Sequence, residues 1–175
     1  MMKQKEARRI YQNTVNNAIG QAFEGYIKAA CDYYRDKGRA AIDKTPEPFR
    51  VSAKHGCGIF TGRFTAPAQP DFQGTLEGGR SVCLEAKYTT TDRLKRDVLT
   101  DTQMRTLAAH AKLGALTGIC AGIGDEFYFV PYVVWRDMKQ YYGRQYVTAE
   151  DLEQYQVRFT GAVLFLDYIN KRREE

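Results

Sequence analysis

Residues 70–88, PDFQGTLEGGRSVCLEAKY, hold two short extended segments around the pair Gly78-Gly79. Paired glycines reach the positive-φ conformations of a tight hairpin turn, so the stretch is expected to fold back on itself. Side chains two apart on a strand share a face. Glu85 and Lys87 therefore point together, while Leu84 and Ala86 face the other way. Asp71, on the preceding strand, falls near enough to share a site with them. Two carboxylates and a lysine at the end of a hairpin suit metal-dependent phosphodiester cleavage. Hard Mg2+ takes carboxylate and water oxygens and polarises a phosphoryl oxygen. A lysine can position or deprotonate the attacking water and offset phosphate charge. The plainer alternative is a solvated ion pair worth at most a few tenths of a kcal/mol. A second D-x-K, Asp137-Met138-Lys139, has no partner carboxylate on a preceding strand and reads as helix-surface charge.

Moving outward, the apolar residues at 15, 19, 22, 23, 26, 27, 30 and 34 have the spacing of an amphipathic helix, ended by Gly38. Residues 1–12 read as a loose basic arm. A strand can begin at Ala40–Ile42, and Pro46 and Pro48 interrupt it. Residues 49–75 read as extended but irregular. Thr100 or Asp101 can cap a second helix with apolar positions 104, 107, 108 and 111, closed by Gly114. Strands are expected at 115–123 and 126–134, then helix at 135–142, and Thr148-x-x-Asp151 resembles a capping box. This order predicts a single α/β domain over residues 1–175. Glu24, at the flank of the first helix, can reach over the sheet toward a metal or its water. Otherwise it pairs with Lys28 at i+4. Gln103, beside the apolar stripe of the second helix, can touch a phosphate or hold a water; otherwise it faces solvent.

The 175 residues are 43% hydrophobic and 13% aromatic, which excludes a disordered or low-complexity chain. No apolar run is long enough for a membrane span, and no apolar segment follows the charged N-terminus as in a secretory signal, so a soluble cytoplasmic protein is expected. Lys plus Arg number 26 against 21 Asp plus Glu. Residues 1–50 carry 10 basic and 6 acidic groups, residues 51–100 carry 7 and 5, and residues 101–175 carry 9 and 10. The surplus in the first hundred residues suggests a polyanionic partner, nucleic acid first. Four separated cysteines and two histidines, His55 and His110, exclude a zinc knuckle or a His-rich metal site.

The stretches Gly20-x-x-Phe23-Glu24, Tyr33-Tyr34, Lys44-x-Pro46-x-Pro48, Asp71-Phe72-x-Gly74, Glu85-Ala86-Lys87, Asp101-x-Gln103, Gly118-Ile119 and Phe127-Tyr128-Phe129 occur in order. With them the chain, from about Asn17 to Tyr168, resembles the RecU-type Holliday junction resolvases of the PD-(D/E)xK nuclease superfamily. The resemblance implies a restriction-endonuclease-like mixed central sheet flanked by helices. It also implies a homodimer that binds four-way junction DNA and cuts two strands of like polarity with Mg2+ or Mn2+. By position, Glu24, Asp71 and Glu85 become the acidic, metal-holding residues, Lys87 the catalytic lysine and Gln103 an accessory. A stalk entering the junction centre would fall at about Val51–Ala68. Lys54, His55 and Arg63 would be its basic contacts and Phe60 and Phe64 its stacking or wedge groups, with Lys44 a further DNA contact. A flexible loop, or aromatics packed at a dimer interface, is the alternative for this segment. The chain departs from the family pattern at Ile19, Gln69-Pro70 and Thr100-Asp101-Thr102, positions that bear on substrate contact rather than on the carboxylates. Two further readings stand beside the resolvase: a nuclease of this fold acting on other branched or duplex DNA, and a non-catalytic junction-binding accessory protein.

Overall fold

The computed structural model describes the backbone of residues 2–46, 48–65 and 69–167, and the side chains in these ranges except at 2–13 and 64. Helix α1 spans Met2–Asp36. It takes in the stretch read from sequence as a loose arm, which is a correction. That stretch is rich in Lys, Gln, Glu, Ala and Arg, good helix formers with no Gly or Pro to stop the helix before it meets the core. Phe23, Ile27, Ala30, Cys31 and Tyr34 form the buried stripe of α1. The helix ends as Gly38 takes φ 67°, a left-handed conformation that costs glycine little.

Strand β1 (Ala40–Lys44) leads into a two-stranded ribbon, β2 (Phe49–Lys54) and β3 (Phe60–Phe64), where sequence alone reads extended but irregular chain. Strands β4 (Phe72–Leu76) and β5 (Ser81–Thr89) form the expected hairpin, with Gly78 and Gly79 at φ 84° and 87°. A short β6 (Arg93–Lys95) precedes α2 (Asp101–Lys112). Then come β7 (Leu116–Ile123), β8 (Glu126–Pro131), α3 (Tyr132–Arg136), α4 (Met138–Tyr142), β9 (Tyr146–Thr148) and α5 (Ala149–Leu152). The strand expected to run to Val134 stops at Pro131. Beyond it the chain turns helical and buries Trp135, whose indole N–H donates to the Arg96 carbonyl at 3.3 Å.

The central sheet has five strands in the order β1-β4-β5-β7-β8. Only the β5–β7 pair is parallel, which makes the sheet mixed, as the resemblance implied. A parallel pair needs a crossover between its strands, and α2 is that crossover. Strand β7 is buried along almost its whole length, so its sequence is apolar without alternation. The even positions of β5 face α1: Tyr88 meets the Phe23 ring at 5.5 Å, and a Cβ on Gly122 would strike the Tyr88 ring and crowd that of Phe23. The odd positions, Cys83, Glu85 and Lys87, face the side of α2. The segment 163–166 closes the fold over α1. Val163 N–H donates to the Tyr26 carbonyl at 3.1 Å and Leu166 N–H to the Tyr34 hydroxyl at 3.0 Å. Phe165 meets the Tyr34 ring edge-on at 5.2 Å.

Candidate active site

Glu85 lies in the middle of a sheet row in which Ile119 and Val130 are its neighbours on β7 and β8. Both are buried, and Glu85 itself is only 1% exposed. An isolated carboxylate there would be strongly disfavoured. One oxygen, Oε2, is supported: it accepts from Gln103 Nε2 at 2.6 Å and from Lys87 Nζ at 3.2 Å. The other, Oε1, is buried with no hydrogen-bond partner among the described residues. Burial pushes the Glu85 carboxyl up to about 8; the nearby Asp71 pushes the same way, and Lys87 only partly opposes them.

Asp71 sits at a bend one residue before β4, where its Oδ2 accepts the Ala86 N–H at 2.8 Å and lies 3.9 Å from Lys87 Nζ. That bond pins the start of β4 to the end of β5 and leaves the ammonium of Lys87 between two carboxylates. Gln103 reaches the site because of how α2 begins. Thr100 is the N-cap: its hydroxyl accepts the Gln103 N–H, while Gln103 Oε1 accepts the Thr100 N–H at 3.0 Å. With its oxygen committed to that capping box, the amide has only its NH2 to present to Glu85. Sequence pattern alone offered solvent as Gln103's simplest environment. The pairing of a hydroxyl at 100 with Gln at 103 was the signal for the cap, and no local signal gave the second bond.

Asp71, Glu85, Lys87 and Gln103 are thus joined in one network. Glu24 is not bonded to it. Its carboxylate pairs with Lys44, while Lys28, the partner considered from spacing, bonds Asp32 instead. Lys44 is nevertheless a neighbour of the site, since Thr45 N–H donates to the Asp71 carbonyl at 2.9 Å. Among the described residues no three His, Cys, Asp or Glu side chains form a metal-holding group, so Glu24, Asp71 and Glu85 are not gathered into one. Two carboxylates, one with a buried oxygen unpartnered, are a donor set that fits a hard divalent cation completed by water.

The ribbon is exposed at almost every position. Its register separates two faces. Arg50 and Arg63 are paired across one, and His55 joins that face through a 2.9 Å contact with Thr61. Phe49 and Phe60, with ring centroids 5.7 Å apart, lie on the other with Val51. Gly62 sits beneath the Phe49 ring, where a Cβ would come within 2.5 Å of it. Lys54 pairs with Phe60, so it borders the aromatic face. Arg50 is a basic residue of the ribbon that the sequence reading did not single out. The Phe64 side chain, and residues 66–68 of the expected stalk, lie outside what is described.

The profile of the RecU family, recombination protein U, matches residues 18–173. The chain belongs to the RecU family. It is accordingly a nuclease of the Holliday junction resolvase type, acting in recombination. Among solved structures, it is similar to Hjc, a Holliday junction resolvase from the archaeal hyperthermophile Archaeoglobus fulgidus, at 13% identity and a TM-score of 0.47. That likeness covers 82% of this chain and 97% of the other. Comparison with curated protein sequences gives no match. No helix among the described residues of this RecU-family chain is long and apolar enough to cross a membrane.

Proposed function

We propose that this RecU-family chain is a Mg2+-dependent endodeoxyribonuclease, with Mn2+ able to substitute, that acts as a cytoplasmic homodimer. It cuts two strands of like polarity at a four-way DNA junction. The observation that carries this reading is Glu85: a buried carboxylate held by Gln103 and Lys87, faced by Asp71, with one oxygen left without a partner. A fully buried acid in a sheet that needs none for stability is a candidate for chemistry.

Asp71 and Glu85 would hold the ion, which supplies Lewis-acid polarisation of the phosphoryl oxygen and charge stabilisation. Gln103 keeps the Glu85 carboxylate in place by charge-assisted hydrogen bonding. Lys87 presents its ammonium beside both carboxylates, where it orients the attacking water and offsets charge on the phosphate. Glu24 acts from outside the network through water, with Lys44 placed to exchange its carboxylate partner for a DNA phosphate. Lys54, His55 and Arg63 of the ribbon take phosphates, and Phe60 and Phe64 act as wedges at the branch point. Affinity then falls steeply with salt, and specificity follows junction shape rather than base edges. The test is cleavage of an immobile four-way junction and of linear duplex of the same sequence, with and without Mg2+. Cutting of the junction alone, only with the ion, is expected. Equal cutting of duplex would make it a nuclease of other DNA, and binding without product in either Mg2+ or Mn2+ would make it an accessory protein.

A further inference from the structure

A second cluster of charge lies across α2 from the carboxylates. Arg96, Asp101, Arg105 and Arg136 surround a shallow cleft of about 300 Å3, floored by Met104 and Tyr132. Arg96 and Arg105 are held in the same manner. Each donates its Nε to a backbone carbonyl at 3.3 Å, Arg96 to that of Arg136 and Arg105 to that of Asp101. A guanidinium held through Nε keeps its two terminal nitrogens as an open fork, the geometry that grips a phosphate through two parallel hydrogen bonds. Among the described residues neither arginine is in a salt bridge. Arg136 differs: Asp137 already neutralises it and its guanidinium lies 5.9 Å over the Tyr132 ring, so it forms a wall. Two acids lie near the cleft, Asp101 on its rim and Asp137, which is already paired with Arg136 and also lies within electrostatic reach of Arg96.

We infer that this cleft is a phosphate-binding subsite for the sugar-phosphate backbone of the junction, beyond the strand being cut. The inference rests on the resolvase reading and adds a contact to it. Gln103 and Arg105 are two residues apart on α2, roughly 200° around the helix. Gln103 is turned to Glu85, so Arg105 is turned away from it. A helix with its side chains is about 10 Å across, and a strand advances about 3.4 Å per nucleotide. The phosphate gripped here therefore lies on the order of three nucleotides from the cut. The capping box that sets Gln103 on Glu85 fixes the first turn of the same helix that carries Arg105 at the start of its second turn, so the two sites keep a constant separation.

The test measures binding of a fluorescent four-way junction to the full chain without divalent ion, over a range of NaCl, for wild type, R96A/R105A and R105K. The double variant is expected to bind about tenfold more weakly at 100 mM NaCl, with a log–log salt slope shallower by about 1. R105K keeps the charge but loses the fork, and is expected to fall between the two. It also serves as the measure should the double variant not fold. Unchanged affinity and slope in the variants overturns the subsite and leaves the cleft to an acidic protein partner. If wild type neither binds nor cuts a junction, the resolvase reading fails and the subsite with it.

Discussion

The β4–β5 hairpin and the β2–β3 ribbon are both antiparallel pairs closed by glycine-rich turns, yet one is locked and the other stands free. In the hairpin, Glu85 is buried beside Ile119 and Val130, and Gln103, Lys87 and Asp71 fix its surroundings to hydrogen-bond distances. In the ribbon, Phe60 is 54% exposed and Arg50 directly opposes Arg63, a like-charge pair that opposes its own folding. On the proposed function, the groups that would meet reacting atoms are held by their neighbours, and those that would meet a large polyanion are left exposed, with their repulsion relieved by the partner. A substitution in the hairpin should therefore affect chemistry and stability together, and one in the ribbon should affect recognition with at most a slight change in stability.

The largest break in that contrast is expected from Glu85→Gln or Asp71→Asn. Either should reduce junction cutting at least about 100-fold while anisotropy shows binding retained. Cutting at wild-type rate would remove both residues from the metal role. Gln103→Ala comes next, at about 10- to 100-fold in cleavage, with about 1 kcal/mol lost from the α2 cap in a denaturant titration. A loss of stability with no loss of rate would reduce Gln103 to a cap.

The third prediction concerns pH in the ion-free protein. Burial and Asp71 raise the Glu85 carboxyl from 4.5 to about 8 in the folded chain. The folded state therefore holds a proton that the unfolded state has released. The stabilisation is full below pH 4.5 and lost as pH rises through 8. Between pH 5 and 8.5, wild type is expected to lose roughly 10 °C of Tm more than Glu85→Gln. Parallel melting curves would show that Glu85 ionises normally. Smallest are the ribbon effects. Phe60→Ala should narrow the preference for junction over duplex by a few-fold with Tm unchanged. Arg63→Ala should weaken binding in low salt while stabilising the fold by a few tenths of a kcal/mol.

The local parts of this design were legible in the sequence. Alternation placed Glu85 and Lys87 on one face, Gly78-Gly79 marked the turn, and Thr148-x-x-Asp151 does form its capping box, with Thr148 N–H donating to Asp151 at 2.8 Å. What sequence missed depends on partners distant along the chain. Glu24 binds Lys44 rather than Lys28 because β1 returns beneath α1. The ribbon reads as irregular because nearly all of its described side chains are exposed, so no alternation of apolar and polar residues marks its strands. Pro131 was overrun because Val133-Val134 favours a strand, until burial of Trp135 is taken into account. Counting charge along three segments of the chain places the basic surplus before residue 100, yet Arg105 and Arg136 join Arg96 around one cleft. Local electrostatics depends on where side chains gather, which a tally along the chain does not register.

The closing segment at 163–166 has a bearing on biosynthesis. Its bonds to Tyr26 and Tyr34 bridge more than a hundred residues of chain, and Phe165 fills the space against the helix that carries Glu24. During translation that helix emerges early but gains its last packing partners only when residue 166 has cleared the ribosome. The helix is therefore left without its closing layer until nearly all of the described fold has been made, which makes its final packing a late event in synthesis.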